Sequence, residues 1–227
     1  MIGFYAAGAM GQGGAGGGFP EILSATVQNF DSATTDHNIN LPATVNAGDL
    51  LLIVGAIYMF SDQSISSVGS GWTLHAQNWV NGPNCRSFLI SRVANGTEGG
   101  GTVNVIGSAA REGAAFVYRI KAGTFHGDIA WNLTASAQTN VFAVASLSPA
   151  WGSAKTAWLA NYFRATNSGA VTLPYPDNQL SRVSASGVRL RYGACTTLEE
   201  ASDRPAGNFS LGLGVVHGLN TIAIRPA

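Results

Sequence analysis

The sequence predicts an all-β protein built as an antiparallel sandwich, and three observations carry that prediction. Charged residues make up 11% of the chain, against roughly a quarter in ordinary soluble domains. Glycine fills 29 of the 227 positions, a turn-rich composition, and a hydrophobic content of 46% separates the chain from disordered ones. Apolar and alternating runs recur about every 8–14 residues between clusters of turn residues. That is the rhythm of a sandwich or barrel and not of strand–helix–strand units.

Residues 1–20 stand apart as a glycine-rich extended N-terminal arm, and residues 21–227 read as one sandwich domain. The arm, MIGFYAAGAMGQGGAGGGFP, carries Ile2, Phe4, Tyr5 and Met10 on a glycine leash. Glycine loses the most backbone freedom on ordering, so the segment is expected to be disordered when free and its apolar tip to be buried in a partner. These four side chains are the assembly-anchor candidates. After Pro20, residues 24–30 alternate as a half-buried strand does. Residues 49–59 (DLLLIVGAIYM) form a near-continuous apolar run, expected at the heart of a sheet. Further strands are predicted at 72–80, 86–93 and 102–106, with NGPN and ANGTEGGG between them reading as hairpin loops. The pattern continues at 113–121, 141–146, 157–163, 170–173, 188–195, 209–216 and 221–225. Only TTLEEAS (196–202) reads as helix, a turn or two stopped by DRPAG. A faint echo links 41–59 with 147–165: each has Leu and Pro, a small-residue turn, one charge and a core strand. The two segments are expected to supply equivalent strands to facing sheets.

The formal net charge is zero, and Lys121 and Lys155 are the only lysines. No basic cluster exists to neutralise a row of phosphates, which argues against nucleic-acid binding. So little charge gives weak electrostatic protection against association, which favours a subunit packed among others. No apolar run reaches the length of a membrane span, so membrane insertion is not expected. The apolar start lacks the basic region of a secretory signal. Cys85 and Cys195, far apart in sequence, could pair across two strands; two buried thiols are the preferred reading if assembly occurs in a reducing cytosol.

Motifs that could carry chemistry fail on context. Gly11, Gly13 and Gly16 match the dinucleotide fingerprint with Asp36 twenty residues on. The match leads into Phe19-Pro20 and a β pattern, where the motif needs a helix N-terminus to hold the pyrophosphate. No cofactor is expected. Asp31, Asp36 and His37, and likewise Glu199, Glu200 and Asp203, could be drawn as metal ligands. Turn capping or helix-start placement of the carboxylates is the stronger reading, so no metal is expected. Ser70 lies in Gly69-Ser70-Gly71, without the outer spacing of a nucleophile elbow. His37, His75, His126 and His217 are isolated, and no catalytic residue is assigned. The sequons at Asn95, Asn132 and Asn208 are expected by chance in so Asn/Ser/Thr-rich a chain. Of the five tryptophans, Trp72 and Trp158 read as core. Trp79, Trp131 and Trp151 lie nearer strand ends and are the glycan-contact candidates.

Three segments, taken together, resemble a known family. They are Leu41-Pro42…Val45-x-Ala47-Gly48-Asp49-Leu50-Leu51-Leu52, then Gly71-Trp72-Thr73-Leu74, then Arg92-Val93-Ala94-x-Gly96-Thr97-Glu98-Gly99-Gly100 closed by Tyr118-Arg119-Ile120. Their order is similar to a β-sandwich module of tailed-bacteriophage virion proteins: tail-fibre, minor-tail and head-decoration components. The resemblance covers the chain from about Ser24 to Pro226, without the arm. It implies one sandwich of jelly-roll type, located in the virion after assembly in the host cytoplasm. The partners it implies are other virion proteins of tail or capsid, in a homo-oligomer with which a trimer is compatible. A tail-associated position, as a short fibre or tail-tip component held by the arm, is preferred to capsid decoration. A carbohydrate-binding module contacting host-surface glycans is the reading from a different class, and a depolymerase the third. The shared residues also have plain physical roles: Gly48-Asp49 launches a strand, Gly71 lets Trp72 approach backbone, and 96–100 is expected to close a hairpin.

Overall fold

In the computed structural model the apolar run that follows Asp49 becomes a strand, Leu50–Tyr58, buried on both faces, and the layers derive from that. The structure describes residues 2–5, 17–58, 64–80, 85–135, 139–164, 171–183, 191–215 and 218–227. Among them are fifteen strands and no helix. The first half of the chain holds β1 (Ile2–Tyr5), β2 (Ile22–Asn40), β3 (Leu50–Tyr58), β4 (Ile65–Val68), β5 (Thr73–Val80), β6 (Cys85–Val93) and β7 (Thr102–Ile120). The second holds β8 (Phe125–Ala135), β9 (Thr139–Ala143), β10 (Ala154–Arg164), β11 (Val171–Thr172), β12 (Asp177–Val183), β13 (Arg191–Ala201), β14 (Asn208–Val215) and β15 (Gly218–Pro226).

Every described pairing is antiparallel. One sheet runs β2-β7-β3-β6-β5, and the other runs β8-β15-β10-β13-β12 with β1 added outside β8. Between them lies the central core. Leu50, Leu52, Val54, Phe116 and Tyr118 from one side meet Ile129, Trp131, Leu159, Phe163 and Ile222 from the other. The opposite faces are covered too. Irregularities near Phe30–Asp36 interrupt the register of the 19-residue strands β2 and β7. Such irregularities let a strand bend. Ile39, Val103 and Val105 from the far ends, with Ile65 of β4, pack over Leu51, Ile53, Ile57 and Phe88. On the other side the small sheet β9-β14-β11 brings Phe142 and Phe209 against Trp158, Ala160 and Tyr162. Two central strands are therefore buried on both faces, β3 with apolar residues throughout and β10 with Thr156, Asn161 and Arg164 buried among apolar ones, which is why their sequences run rather than alternate. Each fully buried aliphatic side chain there contributes about 1.5–3 kcal/mol.

The echo between 41–59 and 147–165 has a structural counterpart: β3 and β10 are interior strands of the two sheets, and both contribute to the central core. Several expectations are corrected. TTLEEAS is the end of β13, paired with β10 through Leu198↔Ala157 and Glu199↔Thr156. Long-range pairing overrides the weak helical preference of Leu-Glu-Glu. Residues 102–106 and 113–120, predicted as two strands, belong to one irregularly paired strand, β7. The loop 94–101 is no hairpin, because β3 lies between β6 and β7, so it arches over the end of the sheet. Strands β1, β4, β8 and β12, and the half of β2 beyond Phe30, are not predicted from the sequence pattern.

Candidate binding surfaces

Asp49 shows how the shared motif residues work. Gly48 takes a left-handed φ of +86°, and Asp49 turns inward, 1% exposed. Its carboxylate accepts from the N–H of Asn46 at 2.9 Å and of Ala122 at 3.0 Å, and from Arg119 Nε at 2.6 Å. Burial pushes this carboxyl up, but those three donors and the guanidinium charge outweigh it and leave it below the usual range. One side chain thus ties the start of β3 to β7 and to the link that leaves β7.

The same motif set builds a cleft of about 250 Å³ at this end of the sheet, lined among others by Trp72, Arg92, Thr97, Glu98, Thr102 and Asn104. Gly71 has φ +77°, and a Cβ there would lie 3.1 Å from the Arg92 guanidinium. Arg92 donates from Nη1 to Ser70 O at 3.1 Å and pairs through Nη2 with Glu98 Oε1 at 2.9 Å. Glu98 accepts from the N–H of Asn95 and Gly96, both at 3.0 Å. Burial raises its carboxyl, but these N–H groups, its own and Arg92 outweigh that and hold it low. The turn 69–72 and the arch 94–101 are thereby locked together. An aromatic edge beside fixed charges and amides suits a ligand with several hydroxyls. Trp72, read from sequence as core, is half-buried: it packs on the first outer core and also lines this cleft. The clue was its place after Gly71, where the chain turns.

The three glycan-contact candidates lie apart. Trp131 is 5% exposed in the central core, its ring 5.2 Å from that of His75, and offers no free face to a sugar. Its strand was not anticipated, so neither was its burial. Trp79 sits on β5 opposite Arg86, half-buried against the first outer core. Trp151 donates Nε1–H to Thr156 Oγ1 at 3.2 Å and packs on the second outer core.

Of the anchor candidates, Ile2, Phe4 and Tyr5 belong to β1, whose backbone pairs with β8 as Ile2↔Asn132, Phe4↔Ala130 and Tyr5↔Ile129. Met10 and the glycines at 11, 13 and 16 lie outside the described residues. The arm's base is held where Gly17 O accepts from Lys155 Nζ at 2.6 Å.

The remaining motif residues are dispersed. Asp36 is exposed and accepts from Thr35 Oγ1, while His37, its neighbour in β2, is 1% exposed against Phe30. Adjacent strand residues point to opposite faces, so the two cannot share an ion. Burial brings His37 down to about 4. The side chain of Asp31 and all of His217 lie outside the described residues. Glu199 and Glu200 are exposed at the end of β13, and Asp203 accepts from Ser148 Oγ. His126 and Arg225 both reach Asp128. Cys85 and Cys195 are buried and not disulfide-bonded. Burial pushes the Cys195 thiol up to about 12, and Cys85 further. One contact was not anticipated: His75 Nε2 lies 2.6 Å from Ser91 Oγ. Burial brings His75 to about 4, so the ring is neutral at pH 7. With Ser91 7% exposed and Trp131 packed on the imidazole, the contact ties β5 to β6 at the irregularity between Leu74 and Ala76.

The fold defines a class: an all-β protein of stacked antiparallel sheets, consistent with a β-sandwich. Comparison adds nothing more specific, since no protein-family model, no curated protein and no solved structure matches the chain.

Proposed function

We propose that this chain is a structural protein of a bacteriophage virion, tail-associated as a short-fibre or tail-tip component and attached through its N-terminal arm. The observation that supports the reading is β1: at the far end of a glycine-rich segment, four residues add a strand to β8 at the edge of this chain's own sheet, and the same addition made to a neighbouring chain would hold the protein in an assembly. Strand addition is a general way for one chain to lock onto another, because backbone hydrogen bonds supply affinity whatever the side chains. The low charge and the resemblance of the 41–120 segments to virion sandwiches support the same reading. Deleting residues 1–16 is expected to remove the protein from assembled particles while its β spectrum in solution persists. Particles that still carry the truncated protein at full copy number sink the anchor; recovery of those particles' protein from the head would favour capsid decoration.

The Trp72 cleft favours a second reading, recognition of a host-surface glycan. Trp72→Ala is expected to abolish binding on a glycan array and Trp79→Ala to leave it intact. A flat array with the folded parent protein removes this reading.

A further inference from the structure

We infer that the chain is two tandem copies of one module, and that the apolar face between them is a self-complementary interface of the kind that joins identical subunits about a two-fold axis. Four independent observations carry this.

The first is strand order. Replace β2, β7, β3, β6 and β5 by β8, β15, β10, β13 and β12, and, β1 at the outer edge of β8 apart, one sheet order becomes the other. The same substitution covers the small layers. The far ends of β2 and β7 pair with each other and β4 pairs with β7; β9 pairs with β14 and β11 pairs with β14. In chain order β9 comes after β8 as the far end of β2 comes after its near end, and β14 precedes β15 in the same way.

The second is local detail. After the far end of β2, Leu41 N–H donates to Gly101 O at 2.9 Å; after β9, Val144 N–H donates to Gly207 O at 3.0 Å. On β3 and β6, Gly55 lies directly opposite Phe88; on β10 and β13, Tyr162 lies directly opposite Gly193. Both rings lie on the outer faces, and only the strand carrying the glycine differs.

The third is reciprocity. Strand β5 packs against β8, with Asn78 Nδ2 donating to Leu133 O at 3.1 Å, and β12 packs against β2. Since β12 corresponds to β5 and β2 to β8, these are one contact seen twice, the signature of an isologous interface.

The fourth is where the chain passes from module to module. Glu21 N–H donates to Thr124 Oγ1 at 3.0 Å, Lys121 N–H to Glu21 O at 2.9 Å, and Ala227 N–H to Thr124 O at 3.3 Å. The start and end of each half meet at one place, so the order of the halves is free to reverse.

A circular permutant tests this with the whole chain. It keeps residues 1–20 in front, continues with 124–227, crosses a short Gly-Ser linker, and ends with 21–123. Its melting temperature is expected within about 5 °C of the parent. A control permutant opened between Asn95 and Gly96 breaks a module and is expected to lose more than about 10 °C. A second measurement uses the parent with a protease site at Ala122–Gly123. After cleavage the two fragments are expected to co-elute at the parent's size with a cooperative melt. A reversed permutant that loses as much as the control, or a cut that releases an unfolded fragment, overturns the inference.

Discussion

Replacing Gly55 with alanine is expected to cost the protein about 3 kcal/mol, the upper end of what an overpacked core position usually costs. The added Cβ would lie 2.1 Å from Phe88 Cζ and 2.4 Å from Cε1. Phe88 has no exposed surface and is packed among Leu51, Ile53 and Ile90, so the ring has nowhere to go. For a chain of this size the melting temperature should fall by about 6–12 °C. Gly193→Ala should behave alike, since Tyr162 Cε1 is 2.4 Å from its would-be Cβ. Combining Gly55→Ala with Phe88→Leu is expected to return part of the loss, because the two changes act on one contact and are not additive. A melting point for Gly55→Ala within 1 or 2 °C (roughly) of the parent would contradict this packing of the β3–β6 pair.

The second large effect is expected at Asp49. Asp49→Ala removes the acceptor of two backbone N–H groups and leaves Arg119 without its partner carboxylate, a change worth about 3–5 kcal/mol for a buried pair. The pH dependence has a definite sign. The folded-state carboxyl titrates below its unfolded value, so its contribution is complete above an unfolded pKa of about 4 and is lost as pH falls through the lower folded value. Denaturant unfolding of parent and variant should therefore differ most near neutrality and converge as the solution is acidified below about pH 4. A gap that stays constant down to the lowest workable pH would show that Asp49 acts through shape and not through charge.

How far the sequence carried depends on what kind of information each feature needs. The run 49–59 announced a central strand because burial on both faces leaves its mark in composition. So did 157–163, in β10. What composition cannot encode is which strand becomes whose neighbour. The glycines of 94–101 have the chemistry of a tight turn, yet β3 fills the space between β6 and β7, and the loop must arch. Strand β8 was hidden because Gly127, Asp128 and Asn132 interrupt its alternation, and with it went the burial of Trp131, which depends on His75 more than fifty residues earlier. The Trp72 cleft was legible only as motif residues; that they line one hollow is a fact of the third dimension. The arch, the turn and β7 converge there from three separate stretches of chain.

Strands β3 and β10 each lie inside a sheet with a further layer on either face, while β5 and β12 lie at sheet edges. That arrangement sets a hierarchy of access to solvent protons. Amides of β3 and β10 are therefore expected to exchange with deuterium chiefly through global opening, at a rate that reports the protein's overall stability. Amides at the outer edges of β5 and β12 exchange through small local openings. The molecule thus carries its own gauge: the two innermost strands read total unfolding, and the rims read breathing.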